Sequence, residues 1–322
     1  MTDLEYLRPS SIEEAIELLR QHRQEAMIIA GGTDVMVGIR QQKFRPRFLV
    51  SLKGVEGFEH IKSRKGGLRI GALATHRAIG ESDLVRGRFS ALADAADRLG
   101  SLQIRNVATL GGNIANGLPS ADTACPLLVF DTQLRIKGTQ ERNVPLREFY
   151  LGPGQTALRS DEILLEFLIP PLPHDSASAY WKHGRRQAME IAMIGVAMLL
   201  QVKVADASML SEAFTKNAAV EELFDSLDRS EIYCREARIA LGVAGPTPIR
   251  ATVAEAFLKE KRLTTQNLLE AGIEASQEAQ VRDSMRGAAW YRKKMIEIST
   301  RRLALLCLQR ILFSGKEKGL TL

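Results

Sequence analysis

Two short runs of small residues carry the groups best suited to hold a phosphorylated ligand. The first, IIAGGTDVMVG at 28–38, is an apolar pattern broken by Gly31 and Gly32 and followed by Thr33 and Asp34. Paired glycines after a strand make a tight turn that exposes consecutive amide N–H groups, and such a nest binds an anion. A β-turn with glycine at a positive φ accounts for the same residues. The run is neither a dinucleotide fingerprint nor a P-loop, since it has no Gly-x-Gly-x-x-Gly and no Gly-Lys-Thr. The second run, ATLGGNIANGLPSADT at 108–123, reads as a loop with a second side-chain-free turn at Gly111 and Gly112. Thr109, Asn113, Asn116, Ser120, Asp122 and Thr123 add hydroxyls, amides and a carboxylate. Backbone amides suit phosphates, and a carboxylate or amide suits the hydroxyls of a sugar-like chain. A structural loop whose Asn, Ser and Asp satisfy their own backbone is the alternative. Two such runs in one chain point to a diphosphate with two ends to cradle, and so to a dinucleotide.

The elements around these runs follow from periodicity and punctuation. SSIEEAIELLRQH (10–22) has a serine cap and helical apolar spacing. EAMIIAGGTD (25–34), RFLVSL (47–52) and GLRIGALAT (67–75) read as strands. FSALADAADRLG (89–100) reads as a helix ended by Gly100. After the second run, PLLVFDTQLRIKG and RNVPLREF read as strands at a sheet edge, and DEILLEFLIPPLP (161–173) as a strand stopped by prolines. That prolyl stretch is the expected domain boundary. Beyond it, EIAMIGVAMLLQVKV reads as strand, ARIALGVAGPTPIRA as a strand and turn, and 253–276 and 286–312 as helices. Residues 205–232 are the least periodic and are expected to be a mobile insertion. The expected division is a first lobe at 1–55, a second at 56–176 and a C-terminal domain at 177–322.

Composition narrows the function. A chain of 322 residues is long for one core, and 45% hydrophobic with 25% charged content is ordinary for a globular protein. Three distant cysteines, Cys125, Cys234 and Cys307, fit a reducing compartment and cannot supply four thiolates to an iron–sulfur cluster or a structural zinc. No apolar run reaches the ~20 residues of a membrane span, and the N-terminus MTDLEYLRPS lacks the apolar core of a signal peptide. A cytoplasmic location is the expectation. The net charge of +6 is concentrated toward the C-terminus, where WYRKKMIEISTRRLALLCLQR has helical spacing. A solvated helix face accounts for it better than a nucleic-acid stripe, and no nucleic-acid-binding motif is present.

AGGTDVMV, LRIGALAT, QIRNVATLGGNIANGLPSADTACPLLV, GPGQTALRSDEILLEFLIPP and LGVAGPTPIRA, in this order, resemble the FAD-binding medium subunit of the molybdenum hydroxylases, the xanthine dehydrogenase and carbon monoxide dehydrogenase family. The likeness runs from about Leu7 to Ala251 and more weakly onward through AAWYRKKM. Among the branches it is most similar to the separate FAD subunits of bacterial xanthine dehydrogenases.

The resemblance implies an α+β fold: a two-lobed FAD-binding domain of the vanillyl-alcohol oxidase type, then a C-terminal domain of a three-stranded sheet with helices. It implies that Met27, Ile28, Ile29, Ala30, Gly31, Gly32, Thr33, Asp34 and Val35 wrap the pyrophosphate and adenine side of FAD. Thr109, Gly111, Gly112 and Asn113 form the second half of the cradle, and Asp122 meets the polyol chain. Leu99 and Leu164 are apolar residues beside the cofactor, Lys182 is a lysine near the flavin, and Ile191 lies over the ring face. Asn116 stands where some relatives have threonine, and Ile191 cannot stack as an aromatic would. The hydroxybenzoyl-CoA reductases insert a four-cysteine segment after the GGN turn, which this chain lacks. FAD is then bound non-covalently. The molybdenum cofactor sits in a large partner subunit and the [2Fe–2S] clusters in a small one, in a dimer of heterotrimers. Electrons leave through this FAD to NAD or another acceptor; Arg185 and Arg186 either draw an anionic acceptor such as NAD toward the ring or are solvated arginines on a loop. No side chain acts as a general base, so His76, His174 and His183 are ordinary polar residues. Two rivals stay open: a stand-alone flavin oxidase of the vanillyl-alcohol oxidase type, and a binding subunit that has lost FAD.

Overall fold

The computed structural model describes residues 4–186, 188–204 and 220–312. The first lobe is a parallel sheet of β1 (Glu5–Leu7), β2 (Ala26–Ile29) and β3 (Phe48–Ser51) in the order β1-β3-β2. The helix Ile12–His22 crosses over between β1 and β2. Its Ser11 cap accepts from the Glu14 amide at 3.1 Å, and Glu14 accepts in turn from the Ser10 amide. The helix buries Ile12, Ala15, Ile16 and Leu19, which pack with Val50 and with Ile163 and Leu165 of the next sheet.

The second lobe is an antiparallel sheet of β4 (Ile61–Arg64), β5 (Gly67–Gly71), β6 (Gln133–Lys137), β7 (Glu141–Pro145) and, after the small hairpin of β8 (Tyr150–Gly152) and β9 (Gln155–Thr156), β10 (Ile163–Ile169). Its order is β4-β5-β10-β6-β7. Leu68, Ile70, Leu134 and Phe167 on one face pack against Leu92 of the helix Ser90–Arg98 and Leu127 of the helix Ala124–Val129. The sequence reading of PLLVFDTQLRIKG as one strand is corrected here. Its first residues finish the helix Ala124–Val129, Asp131 turns the chain at φ 50°, and only then does β6 begin. An apolar tetrad long enough for a strand is equally a buried helical turn, and periodicity alone does not separate the two. RNVPLREF likewise divides at Pro145, after which Leu146–Phe149 is helical.

The C-terminal domain carries β11 (Ser176–His183), β12 (Ile194–Val204), β13 (Ile232–Gly242) and β14 (Ile249–Arg250), antiparallel and in that order. It was expected to have three strands; the fourth is the two-residue strand that follows the GPTP turn. The single helix expected at 253–276 is two, Thr252–Leu258 and Thr265–Glu278, separated by a reversal with Glu260 at φ 58°. With the helix Ala289–Leu312 they cover the sheet through Leu258, Leu268, Ala271 and Leu303–Leu308. Of the stretch 205–232, Val220–Arg229 is a helix that buries Leu223 and Leu227, and residues 205–219 lie outside the described residues. Among the described residues, no helix is long and apolar enough to cross a membrane.

Two ion-paired seams join the domains. Arg310, near the end of the last described helix, grips both oxygens of Asp94 at 2.8 and 3.0 Å and donates to the Ser178 carbonyl at 2.6 Å. Arg238 and Arg250 reach Asp131 at 2.7 and 3.0 Å and donate to the carbonyls of Val129 and Leu128. They thereby satisfy the exposed C-terminal carbonyls of the helix Ala124–Val129.

Candidate functional site

The first glycine run leaves the end of β2 and turns at Gly32, whose φ is 76°, before the helix Val35–Arg40 starts. Met27, Ile28, Ala30 and Val35 are half-buried and Ile29 is buried, so these side chains anchor the turn in the lobe. Gly31 has a different task. A Cβ there would collide with the Val107 carbonyl, so the missing side chain lets this run lie directly on residues 107–108. Asn116 closes the junction by donating to Asp34 at 3.1 Å. Among the described residues none accepts from the amides of Gly31, Gly32 or Thr33, all of which are half-buried. Three consecutive unpartnered donors are the signature of an anion cradle.

The second run is not a loop. Thr109 caps the helix Leu110–Ala115, with Leu110 and Ile114 buried one turn apart, and Gly111 and Gly112 sit in its first turn with helical backbone. The expected second nest is therefore corrected: its amides are already used. Leu110 donates to the Ala74 carbonyl at 2.9 Å, Gly111 to Ala72 at 2.8 Å, Gly112 to the Thr109 hydroxyl at 3.1 Å, and Asn113 to the Thr109 carbonyl at 3.0 Å. Gly111 is glycine because a Cβ would lie 2.7 Å from the Ala72 carbonyl oxygen. A Cβ at Gly112 would meet only the Thr109 hydroxyl, at 3.1 Å, and otherwise open space. The Thr123 hydroxyl donates to the Asn113 carboxamide at 2.7 Å and folds the end of the run back on its start.

Beneath the run lies His76, completely buried. Its amide donates to the Ala108 carbonyl at 3.0 Å, and neither ring nitrogen makes a hydrogen bond of good geometry, although the nearby Thr109 backbone favours the protonated ring. Burial, the largest influence, pushes its pKa down to about 4, so the ring is neutral. His174 is exposed and lends its carbonyl to Arg88, while His183 is half-buried beside Tyr291.

Asp122 is buried where the second run meets β11. Lys182 donates to its Oδ2 at 2.7 Å, and Tyr180 to its Oδ1 at 2.8 Å. The Lys182 ammonium also reaches the Arg98 carbonyl at 3.1 Å, which brings in the Leu99 corner. Arg105 donates to the Leu99 carbonyl and Met189 to the Gly100 carbonyl, both at 3.1 Å. Leu99 and Leu164 are buried, and Leu164 lies on β10, against which the helix Leu110–Ala115 packs. Ile191 is 50% exposed on the loop between β11 and β12, next to the more exposed Met189. Arg186 on that loop is paired with Glu190 at 3.1 Å, and Arg185 approaches the same carboxylate at 3.8 Å, although both guanidinium groups remain largely exposed. The residue the sequence reading missed is Tyr180. Strand alternation puts it on the same face as Lys182, two residues on, and that spacing was the available signal.

All three cysteines are buried and unpaired; burial raises the thiol pKa of each, to about 12 for Cys234 and Cys307. Among the described residues no group of His, Cys, Asp and Glu is arranged to hold a metal ion. The free amides at 31–33, the open position at Gly112 and the acceptor Asp122 fit a phosphorylated, polyhydroxylated ligand.

Residues 2–172 match the FAD binding domain in molybdopterin dehydrogenase, and residues 179–306 match the CO dehydrogenase flavoprotein C-terminal domain. The chain is similar to the xanthine dehydrogenase FAD-binding subunit of Escherichia coli O157:H7, with 34% identity over 92% of this chain and 94% of that one. It is also similar to the nicotinate dehydrogenase FAD-subunit of Eubacterium barkeri, with 33% identity over 68% and 75%. Its fold matches a chain of the reconstituted CO dehydrogenase from Oligotropha carboxidovorans at a TM-score of 0.83 and 26% identity, covering 95% of this chain and 98% of that one. Two domain matches that together span most of the chain, and relatives aligned along nearly their whole length, place this protein in the family of FAD-binding medium subunits of the molybdenum hydroxylases.

Proposed function

We propose that this chain is the electron-exit subunit of a molybdenum hydroxylase. It takes electrons from [2Fe–2S] clusters in a small partner and passes them to NAD or another acceptor. A large molybdenum-cofactor partner oxidises the substrate, a purine, N-heterocycle or aldehyde, and the assembly is a cytoplasmic dimer of heterotrimers. The observation that carries the reading is the row of three unpartnered amides at Gly31, Gly32 and Thr33, in a run packed directly on the one that ends in Asp122. In this reading the segment Met27–Val35 holds the pyrophosphate, and Thr109 and the Gly111–Asn113 turn form the opposing wall, with Gly112 leaving room for the ligand. Asp122 accepts from the polyol hydroxyls, and Leu99, Leu164, Lys182 and Ile191 border the ring. The two lobes at 1–55 and 56–176 form a FAD domain of the vanillyl-alcohol oxidase type, and 177–322 the C-terminal domain. When bound, the flavin supplies the electron and hydride chemistry. The chain's own residues bind it, orient it and keep water from its buried side.

Acid precipitation of the purified protein tests the mode of binding. Non-covalent FAD appears in the supernatant, as neither glycine-rich run contains a His or Cys to link it; yellow colour retained in the pellet would refute this. The chain purified without partners should reduce dyes from NADH weakly and leave purines and aldehydes unoxidised. Oxidation of such a substrate by the chain alone, at the rate of a complete hydroxylase, would instead establish the stand-alone oxidase.

A further inference from the structure

Asp122 is 6% exposed and sits on the seam between the FAD lobes and the C-terminal sheet. Both of its oxygens accept from the far side of that seam, from Tyr180 at 2.8 Å and Lys182 at 2.7 Å. The sheet is shaped to admit the phenol. Gly195 and Gly242 are paired across β12 and β13. A Cβ on Gly195 would lie 2.7 Å from the Tyr180 hydroxyl, and one on Gly242 would lie 2.8 Å from the Cys125 sulfur. Glycine inside a strand weakens it and marks a close approach by another group. Here the gap admits the phenol on one strand and the Asp122–Cys125 segment on the other. The buried hydroxyl of Tyr180 finds its acceptor in Asp122. A carboxylate offers about four acceptor positions. Tyr180 and Lys182 take up two of these, which leaves the others for hydroxyl donors of a ligand.

We propose that Tyr180 is a positioning residue for the flavin nucleotide: its hydroxyl holds Asp122 as an oriented carboxylate, and retention of the cofactor follows the protonation of Asp122. This rests on the reading of the site as a FAD cradle. The charged and titratable groups facing Asp122 are Lys182 and Tyr180 across the seam, Cys125 on its own segment and Arg98 beyond Tyr180. Burial is the largest influence on Asp122 and raises its pKa above the usual carboxylate value, while Lys182 and Tyr180 hold it down. Without the phenol donor, burial is less opposed and the carboxylate takes up a proton at higher pH.

The test is titration of the full-length apo chain with FAD from about pH 5 to 9, beside apo melting at each pH. For the unaltered chain, affinity should be constant on the alkaline side and fall toward acid. Tyr180→Phe, which keeps the ring, should move the midpoint of that fall upward by ~1 pH unit and weaken binding ~10-fold on the acid side, with little change on the alkaline plateau. Asp122→Asn, which cannot ionise, should bind with an affinity independent of pH. Equal midpoints for the unaltered chain and Tyr180→Phe overturn the proposal, as does a loss of affinity by one factor at every pH alongside lower melting, which marks Tyr180 as structural only. Failure of the unaltered chain to bind FAD at any pH would overturn the cradle reading itself. Tight binding without pH dependence would overturn only the link to Asp122.

Discussion

The two glycine runs look alike in sequence and do opposite work. In the first, Gly32 takes a positive φ, Gly31 lets the run lie on Val107 and Ala108, and three amides are left without partners. In the second, Gly111 lets a helix press against the chain just past β5, and every amide from Leu110 to Asn113 is consumed in holding that position. In the proposed cradle one run grips the pyrophosphate and the other is a wall. The difference lies in what precedes each pair. A strand ending in Ile29 can only turn away, whereas Thr109 is an N-cap that commits the following residues to a helix. A diphosphate cradle built this way needs one set of donors and one smooth surface.

That contrast can be broken most severely at Gly31. Gly31→Val drives a side chain into the backbone of Val107 and Ala108 and separates the two runs, at a cost on the order of 4 kcal/mol. Denaturant unfolding of the apo chain should show the loss, and an unchanged midpoint would mean the runs are not packed as described. The second effect is acid sensitivity of the wall alone. The folded-state pKa of His76 is depressed to about 4, so between the unfolded value near 6.5 and that pH the unfolded chain binds the extra proton. Stability is therefore complete above about pH 6.5 and falls by about 3 kcal/mol on acidification toward pH 4. Hydrogen exchange should quicken at 108–113 more than at 30–34 over that range, and His76→Met should remove the effect. The smallest change in folding, with the sharpest functional consequence, is expected at Gly112. Because its backbone is helical and its surroundings open, Gly112→Val should alter apo stability by no more than ~1 kcal/mol, yet prevent FAD retention. Gly32→Ala makes the complementary comparison, since it strains a positive φ by ~1–2 kcal/mol while adding little bulk. If Gly112→Val retained FAD with unchanged affinity, the wall would have to lie elsewhere.

Much of this was legible in the sequence where local pattern and tertiary role agree. The capped helix at 12–22, the strands around Phe48 and Ile163 and the stop at Gly100 all follow from side-chain spacing, and the chemistry of Gly31, Gly32 and Asp122 stood out against it. Legibility failed where burial decided the outcome. ACPLLV is apolar on every side because it is buried on every side, so no period revealed its helix. Gly111 reads as loop because the Ala72 backbone that excludes a Cβ there lies just past β5, far away in sequence. Tyr180 is passed over for the same reason. Its role depends on a neighbour, Asp122, that topology supplies and spacing does not.

The grip of Arg310 on Asp94 spans 216 residues of chain. On a ribosome adding about 5–20 residues per second, the helix that carries Asp94 emerges on the order of 10–40 s before its partner. During that interval the Ser178 carbonyl on β11 also lacks its Arg310 donor. The strand that delivers Tyr180 and Lys182 is thus clamped to the helix of Asp94 only after residue 310 has been made, well after both glycine runs have emerged.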